Sequence, residues 1–329
     1  MTWLARICAG AFIAAALSLS PASAQTYPDK PIRVIVSIAA GSVTDVIVRA
    51  AAKELEPKLG QPLVIENRGG AAGILAGQSC AQSPGDGYTL CVIYHSTMSY
   101  NPVQFDKLPY NADADFTPIA RLFFLTEGLF ASSALGVNSV ADLKAKAQSG
   151  APLNYATLGE GSFPDLFLKW MNNQWNTKIV GIPYRGGGPA AQAVAANDVQ
   201  VTRFGVGNFT GLLEGGKVKA LGIGLPSRSP LFPDVPTLDE AGLPGFPGQG
   251  WWGLAAPRGT PAPIIERLNS EFTKLFSEPK FKAFLDKQAV ASAPTTPAEF
   301  AAFLKQDRKA AETLIRIANT KPEEYKPGK

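Results

Sequence analysis

The chain has 329 residues, 46% of them hydrophobic and 18% charged, enough apolar material for about two packed domains and no compositional case for disorder. Lys+Arg 31 against Asp+Glu 27 gives a net +4, too weak and too scattered an excess for a nucleic-acid footprint. The single histidine, His95, excludes any two-histidine metal site and argues against a zinc enzyme.

In chain order, Arg6 precedes an apolar run from Ile7 to Leu19 and then Ser20-Pro21-Ala22-Ser23-Ala24. This reads as a secretory signal over residues 1–24, cut after Ala24. The run is well short of the ~20 residues a membrane span needs, so a membrane anchor is the weaker reading. Removal of the leader takes Cys8 with it and leaves Cys80 and Cys91. An even pair in an oxidising compartment invites a disulfide. Two buried thiols acting as small apolar residues are the alternative.

Residues 31–37, rich in Ile and Val after Pro31, predict a strand. A turn over 39–45 leads into a helix from Val46 to Leu59 that stops at Gly60. A strand at 63–66, a helix at 73–81 and a strand at 88–94 follow, which together imply a parallel sheet with right-handed crossovers. The pattern recurs with strands at 153–157, 179–182, 199–204 and 218–225, and helices at 163–175 and 190–196. The tail predicts two helices. Ile264, Ile265, Leu268, Phe272, Leu275 and Phe276 share a face after Pro261, and Thr296-Pro297-Ala298-Glu299 is a capping box. Both most simply cover a sheet, with the chain crossing back to the first unit.

Glycine-rich turns between strand and helix expose backbone N–H groups at a helix N-terminus, where the helix dipole also favours negative charge. Gly41-Ser42-Val43-Thr44 and Gly159-Glu160-Gly161-Ser162 are such turns. Facing each other from two domains, they would clamp the oxygens of a carboxylate; otherwise they are tight turns with serine or threonine caps. Neither is a Walker motif or a dinucleotide fingerprint. Hydrolase and redox signatures are absent from the sequence, and Asp45 in the first turn of a helix suits a capping role. A secreted hydrolase would have to use His95 with Ser96 or Ser162.

Several runs resemble the substrate-binding proteins of tripartite tricarboxylate transporters, the Bug-type periplasmic receptors. They include Tyr27-Pro28-Asp29-Lys30-Pro31-Ile32-Arg33, Leu59-Gly60-Gln61-Pro62-Leu63-Val64-Ile65-Glu66-Asn67-Arg68 and Pro84-Gly85-Asp86-Gly87-Tyr88-Thr89-Leu90. Pro183-Tyr184-Arg185-Gly186 and Trp251-Trp252-Gly253-Leu254-Ala255-Ala256-Pro257 continue the match. The resemblance spans the chain beyond the leader.

It implies an α/β, two-domain periplasmic-binding-protein (Venus flytrap) fold, type II-like, with parallel-rich sheets flanked by helices. It implies a discontinuous first domain, 26–125 plus 245–329, and a second at 126–244, hinged around a cleft. The expected function is capture of a small organic anion, as a monomer, for the membrane components of a tripartite transporter, or as a sensor for a signalling partner. No catalysis, cofactor, metal or nucleic acid is called for.

By the resemblance the ligand-binding turns are Ser37 to Asp45, with Ser37, Ala39, Gly41, Ser42, Val43, Thr44 and Asp45, and Thr157 to Ser162, with Thr157, Gly159, Gly161 and Ser162. His95 and Ser96 fall where the family lines its cleft. Family members often read Val-Asp-Val-x-Phe-Asp where this chain has Val199-Gln200-Val201-Thr202-Arg203-Phe204. Phe204 thus replaces an aspartate. The cleft is expected to lose an acidic group and gain an aromatic face beside Arg203, which favours an aromatic dicarboxylate such as terephthalate over aliphatic acids. Arg203 or His95 would meet the far carboxylate. Core packing of Phe204 and a solvated face for Arg203 are the alternatives.

Overall fold

The computed structural model describes residues 27–326, so the leader read over 1–24 lies outside the described residues. In the first unit β1 (Ile32–Val36) leads to α1 (Val43–Leu59), β2 (Leu63–Asn67), α2 (Ile74–Ala81) and β3 (Thr89–Tyr94). The first helix starts three residues before the apolar spacing predicts, because Ser42 is extended at the N-cap, and it ends at a left-handed Gly60, φ +75°. A wide turn at Ser96–Tyr100 and the short α3 (Asn101–Gln104) follow. Next come β4 (Phe116–Leu125) and, one residue later, β5 (Glu127–Ser132).

The second unit runs α4 (Val140–Gln148), β6 (Asn154–Thr157), α5 (Phe163–Trp175), β7 (Val180–Pro183), α6 (Gly187–Ala195), β8 (Val201–Gly205), α7 (Thr210–Glu214) and β9 (Val218–Ile223). The chain returns through β10 (Trp251–Pro257), α8 (Ala262–Ser277), α9 (Pro279–Lys287), β11 (Val290–Ser292) and α10 (Pro297–Ile317).

Two sheets result, ordered β11-β4-β10-β3-β1-β2 and β7-β6-β8-β5-β9. The strands expected from helix alternation pair in parallel, β1 with β2 and β3, and β6 with β7 and β8. The rest run antiparallel: β10 with β3 and β4, β11 with β4, and β5 with β8 and β9. Each sheet is therefore mixed rather than parallel. The reversed strands include those flanking the passages between the sheets. β4 and β5 are separated by Thr126 alone, and β10 follows the return through 224–250. Thr126 is tied to both sides, its N–H donating to Ala289 O at 3.1 Å and its carbonyl accepting from Val206 N–H at 2.8 Å.

The apolar face of α8 packs Leu268, Phe272, Leu275 and Phe276 into the core that holds Val34, Val36, Leu122 and Phe123. The capping box forms as predicted, Glu299 N–H to Thr296 Oγ1 at 3.2 Å and Thr296 N–H to Glu299 Oε2 at 2.8 Å, and such a cap is worth about 1 kcal/mol. The helix it heads does more than cover the first sheet. Phe300 and Leu304 pack with Trp251, whereas Ala311, Leu314 and Ile315 join the core of the second unit around Tyr155 and Phe167. Cys80 in α2 and Cys91 in β3 form a disulfide with Cα atoms 6.1 Å apart, so the pair left open by the sequence is bridged. Among the described residues no helix is long and apolar enough to cross a membrane.

Candidate functional site

Both glycine-led turns sit at the carboxyl ends of first strands, β1 and β6, where helices α1 and α5 begin. Gly41 and Gly161 take left-handed backbone angles, φ +78° and +75°, which glycine reaches without the penalty a Cβ brings. Their N–H groups are not presented outward. Gly41 N–H donates to Asp45 Oδ2 at 2.9 Å, and Gly161 N–H donates to Asp165 Oδ2 at 3.0 Å. In each turn the helix's own aspartate takes the amide that sequence reading offers to a ligand. Asp45 also accepts from Arg49 Nε at 3.0 Å and Asn67 Nδ2 at 2.8 Å. Burial raises its carboxyl, but these hydrogen bonds outweigh burial and hold it below the ordinary range.

Each turn packs on the opposite unit. Ala39 N–H donates to Arg185 O at 2.9 Å, Gly188 N–H reaches Ser42 Oγ at 3.3 Å, and Val43 N–H donates to Asn208 Oδ1 at 2.9 Å. The approach is close enough that a Cβ on Gly186 would stand 2.6 Å from Ser42 Oγ and 2.9 Å from Ala39 Cβ. The other turn lies on α3 and the segment before α2. Ala72 N–H donates to Leu158 O at 2.9 Å, and a Cβ on Gly161 would meet Gln104 Oε1 at 2.5 Å.

Between these contacts lies a cavity of about 30 Å³. Ser42, Val43 and Thr44 line it from the start of α1, and Leu158 and Pro164 from the second turn and the start of α5. Tyr94, His95, Trp252, Glu127, Phe204 and Asn208 also contribute to its wall. Tyr94 and Trp252 stack with ring centroids 4.6 Å apart.

The other residues singled out from the sequence are not part of its lining. Ser37 is buried and its hydroxyl donates to Val92 O at 2.9 Å. Ser96 is buried behind His95, its Oγ 3.3 Å from Nδ1. Thr157 and Gly159 face a separate opening of about 690 Å³, bounded by the C-terminal residues 323–326. Ser162 Oγ donates to Gly159 O at 2.6 Å, which commits it within its own turn. His95 is 3% exposed, and burial, reinforced by Arg203, pushes its imidazole down to about 3. A base that weak is poorly matched to activating Ser96 or Ser162 near neutral pH.

Arg203 is not a solvated residue. Its guanidinium lies 3.6 Å from Glu127 and is caged by Phe163, Phe167 and Phe246 at 4.7, 4.5 and 5.1 Å, all cation–π distances. Phe204 does face the cavity, but the cleft has not lost its acid. Glu127, on the adjacent strand β5, supplies a carboxyl to the same wall, correcting the expectation drawn from Phe204 alone. Burial pushes that carboxyl up to about 7, with Arg203 opposing. Glu127, Trp252 and Asn208 are among the wall residues sequence reading missed. A signal existed for Glu127: it is the one charged residue between Leu122 and Leu135, a run otherwise apolar or small.

Compared with known proteins, residues 47–320 match the sequence model of the family described as "Tripartite tricarboxylate transporter family receptor". Protein BugT of Bordetella pertussis is 31% identical over 322 residues, covering 95% of this chain and 96% of that protein. The solved structure of R. palustris Rpa4515 with adipate is 27% identical with a TM-score of 0.85, covering 90% of this chain and 99% of that one. MatC from Rhodopseudomonas palustris with bound malate is 33% identical with a TM-score of 0.81, covering 88% and 100%.

Proposed function

We propose that this chain, which belongs to the tripartite tricarboxylate transporter receptor family, captures a small dicarboxylate between its two units and hands it to the membrane components of such a transporter. Periplasmic solute binding is the family's work. The finer reading concerns the ligand and the motion. One observation carries it: helices α1 and α5, one from each unit, start at a single cavity walled by aromatic rings. Two helix N-termini aimed at one place favour an anion there.

Two similar proteins were solved with adipate and with malate, both dicarboxylates. Phe204 and the Tyr94–Trp252 stack support a flat ring between the carboxylates, so terephthalate is the leading ligand. A cavity of 30 Å³ holds about one water, so a ligand of that size requires the units to part and re-close. Thr126 and the return through 224–250 are the hinge in this reading, with 26–125 plus 245–329 moving against 126–244. The leader, cut after Ala24, would deliver the receptor to the periplasm.

A thermal-shift panel of terephthalate, benzoate, adipate, malate and citrate tests the reading. A true ligand at 100 times its Kd should stabilise the protein by about 2.7 kcal/mol. No shift with any dicarboxylate would overturn it.

A further inference from the structure

Capture at the helix N-termini accounts for one end of a dicarboxylate and leaves the rest of the cavity wall unexplained. Glu127 stands on that wall, 6% exposed, and its Oε2 has no hydrogen-bond partner. Arg203 Nη2 is 3.6 Å from that oxygen, beyond hydrogen-bond reach, and Arg203 Nε and Nη1 are also unpartnered. Trp252 Nε1, an indole donor on the same cavity wall, has no partner either. A buried polar atom left unpaired has lost its water without a replacement, so such a group points to something that satisfies it. Gly250 makes the room: a Cβ there would come within 2.9 Å of Glu127 Oε1 and 3.5 Å of His95 Nε2.

The charges facing Glu127 are few. Arg203 on β8 is a fixed cation in its aromatic cage. His95, after β3, is held neutral by burial. Tyr100 and Tyr155, whose hydroxyls burial pushes well above their ordinary value, are neutral too. Of these groups, only the Glu127 carboxyl can change charge around neutral pH.

Ionised, Glu127 cancels Arg203, and a ligand carboxylate brought to this wall meets a like charge. Protonated, it offers an O–H to the cavity that Trp252 also lines and leaves the Arg203 charge to be balanced by the ligand. Resting on the dicarboxylate reading above, we propose that Glu127 makes capture proton-linked: it takes one proton from solvent as the ligand's second carboxylate arrives, and so sets the balance between doubly and singly charged carboxylates. Burial against Arg203 puts the carboxyl at about 7 before the ligand arrives, within physiological reach.

The sign follows from linkage. Dianion affinity is full while Glu127 is protonated and falls as pH rises, approaching about tenfold per pH unit above 7. A singly charged ligand, with nothing to place at this wall, shows no such slope.

Calorimetric titration of terephthalate, adipate and malate, with benzoate as the singly charged match, tests this from pH 6.5 to 9, where ordinary carboxyls are ionised. Running each in phosphate and in Tris yields the number of protons taken up. The expected result is about one proton per dianion at pH 8 and none for benzoate. Glu127→Gln should bind dianions with a flat pH profile. If that variant fails to fold, the proton count of the unaltered protein decides alone. Dianion binding without proton uptake at pH 8, or uptake unchanged in Glu127→Gln, overturns the proposal and leaves the receptor reading standing. Binding of benzoate but of no dianion also overturns it, and binding of none of the four removes the dicarboxylate reading on which it rests.

Discussion

Gly41-Ser42-Val43-Thr44-Asp45 and Gly161-Ser162-Phe163-Pro164-Asp165 start their helices alike, with a left-handed glycine, an extended serine at the N-cap and an aspartate whose carboxylate takes the glycine N–H. Beyond that their partners diverge. Ser42 Oγ accepts from Gly188 in the other unit, while Ser162 Oγ stays at home, donating to Gly159 O and accepting from Leu158 N–H. Asp45 is held by Arg49 and Asn67, with its carboxyl lowered. Asp165 has Lys169 at 3.1 Å, yet burial still raises it. The serine of the same local pattern thus serves contact between units in one turn and internal rigidity in the other.

The largest test breaks the contact that only the first turn makes. Gly186 has an extended backbone that alanine can adopt, φ 175°, and the three atoms nearest its missing Cβ, on Ser42 and Ala39, lie across the interface. Gly186→Ala should therefore cost closure rather than folding. Overpacking of about 1–3 kcal/mol converts to a roughly 5- to 150-fold rise in Kd. The unliganded melting temperature should stay within about 2 °C of the unaltered protein's. A variant that binds normally would show that these units need not meet to hold the ligand.

Much of this architecture is legible in the sequence, and the reason is locality. The strand-to-turn-to-helix units at β1–α1 and β6–α5 are written in neighbouring residues: β-branched runs, glycines at left-handed positions and serine caps. β4 and β5 are not, because residues 116–132 form one mostly apolar stretch whose break at Thr126 is imposed by bonds to Ala289 and Val206, remote in sequence. The capping box locates the start of α10, but nothing local says that its second half leaves the first core for the second. In the cavity wall, Ser42, Val43 and Thr44 are readable. Asn208 and Trp252 are not, since an asparagine after a strand and a tryptophan within one gain meaning only from the Val43 N–H and the cavity they reach.

A middle-sized test compares the two aspartates. A lowered carboxyl contributes stability that is present above the ordinary pKa and lost as pH falls through the lowered value. Asp45→Asn should accordingly cost about 1–3 kcal/mol at pH 7, with the deficit shrinking as the unaltered protein is taken below pH 4. Asp165 has the opposite sign. Its ionised form is disfavoured by burial, so the native state gains stability as pH falls from the raised value toward the unfolded one. Asp165→Asn keeps an oxygen for Gly161 N–H and removes the buried charge, so its cost at pH 7 should be under about 1 kcal/mol. Urea unfolding at pH 7 and pH 3 measures both. Equal costs would mean the two turns lean on their aspartates alike.

The smallest effects separate the serines, and here the kind of effect matters more than its size. Ser162→Ala removes the bonds to Gly159 O and from Leu158 N–H, both inside one turn, so about 0.5–1.5 kcal/mol should disappear from folding stability with ligand binding little altered. Ser42→Ala removes a single long acceptor, 3.3 Å from Gly188 N–H, that exists only while the units touch. Its cost should fall on ligand affinity, at most about tenfold, and the unliganded protein should melt as before. A double-mutant cycle between Ser42→Ala and Gly186→Ala sharpens this, because both act through one interface and their effects on Kd should fall short of additive. Additive losses would place Ser42's role elsewhere, and the contrast between the two turns would then rest on the aspartates alone.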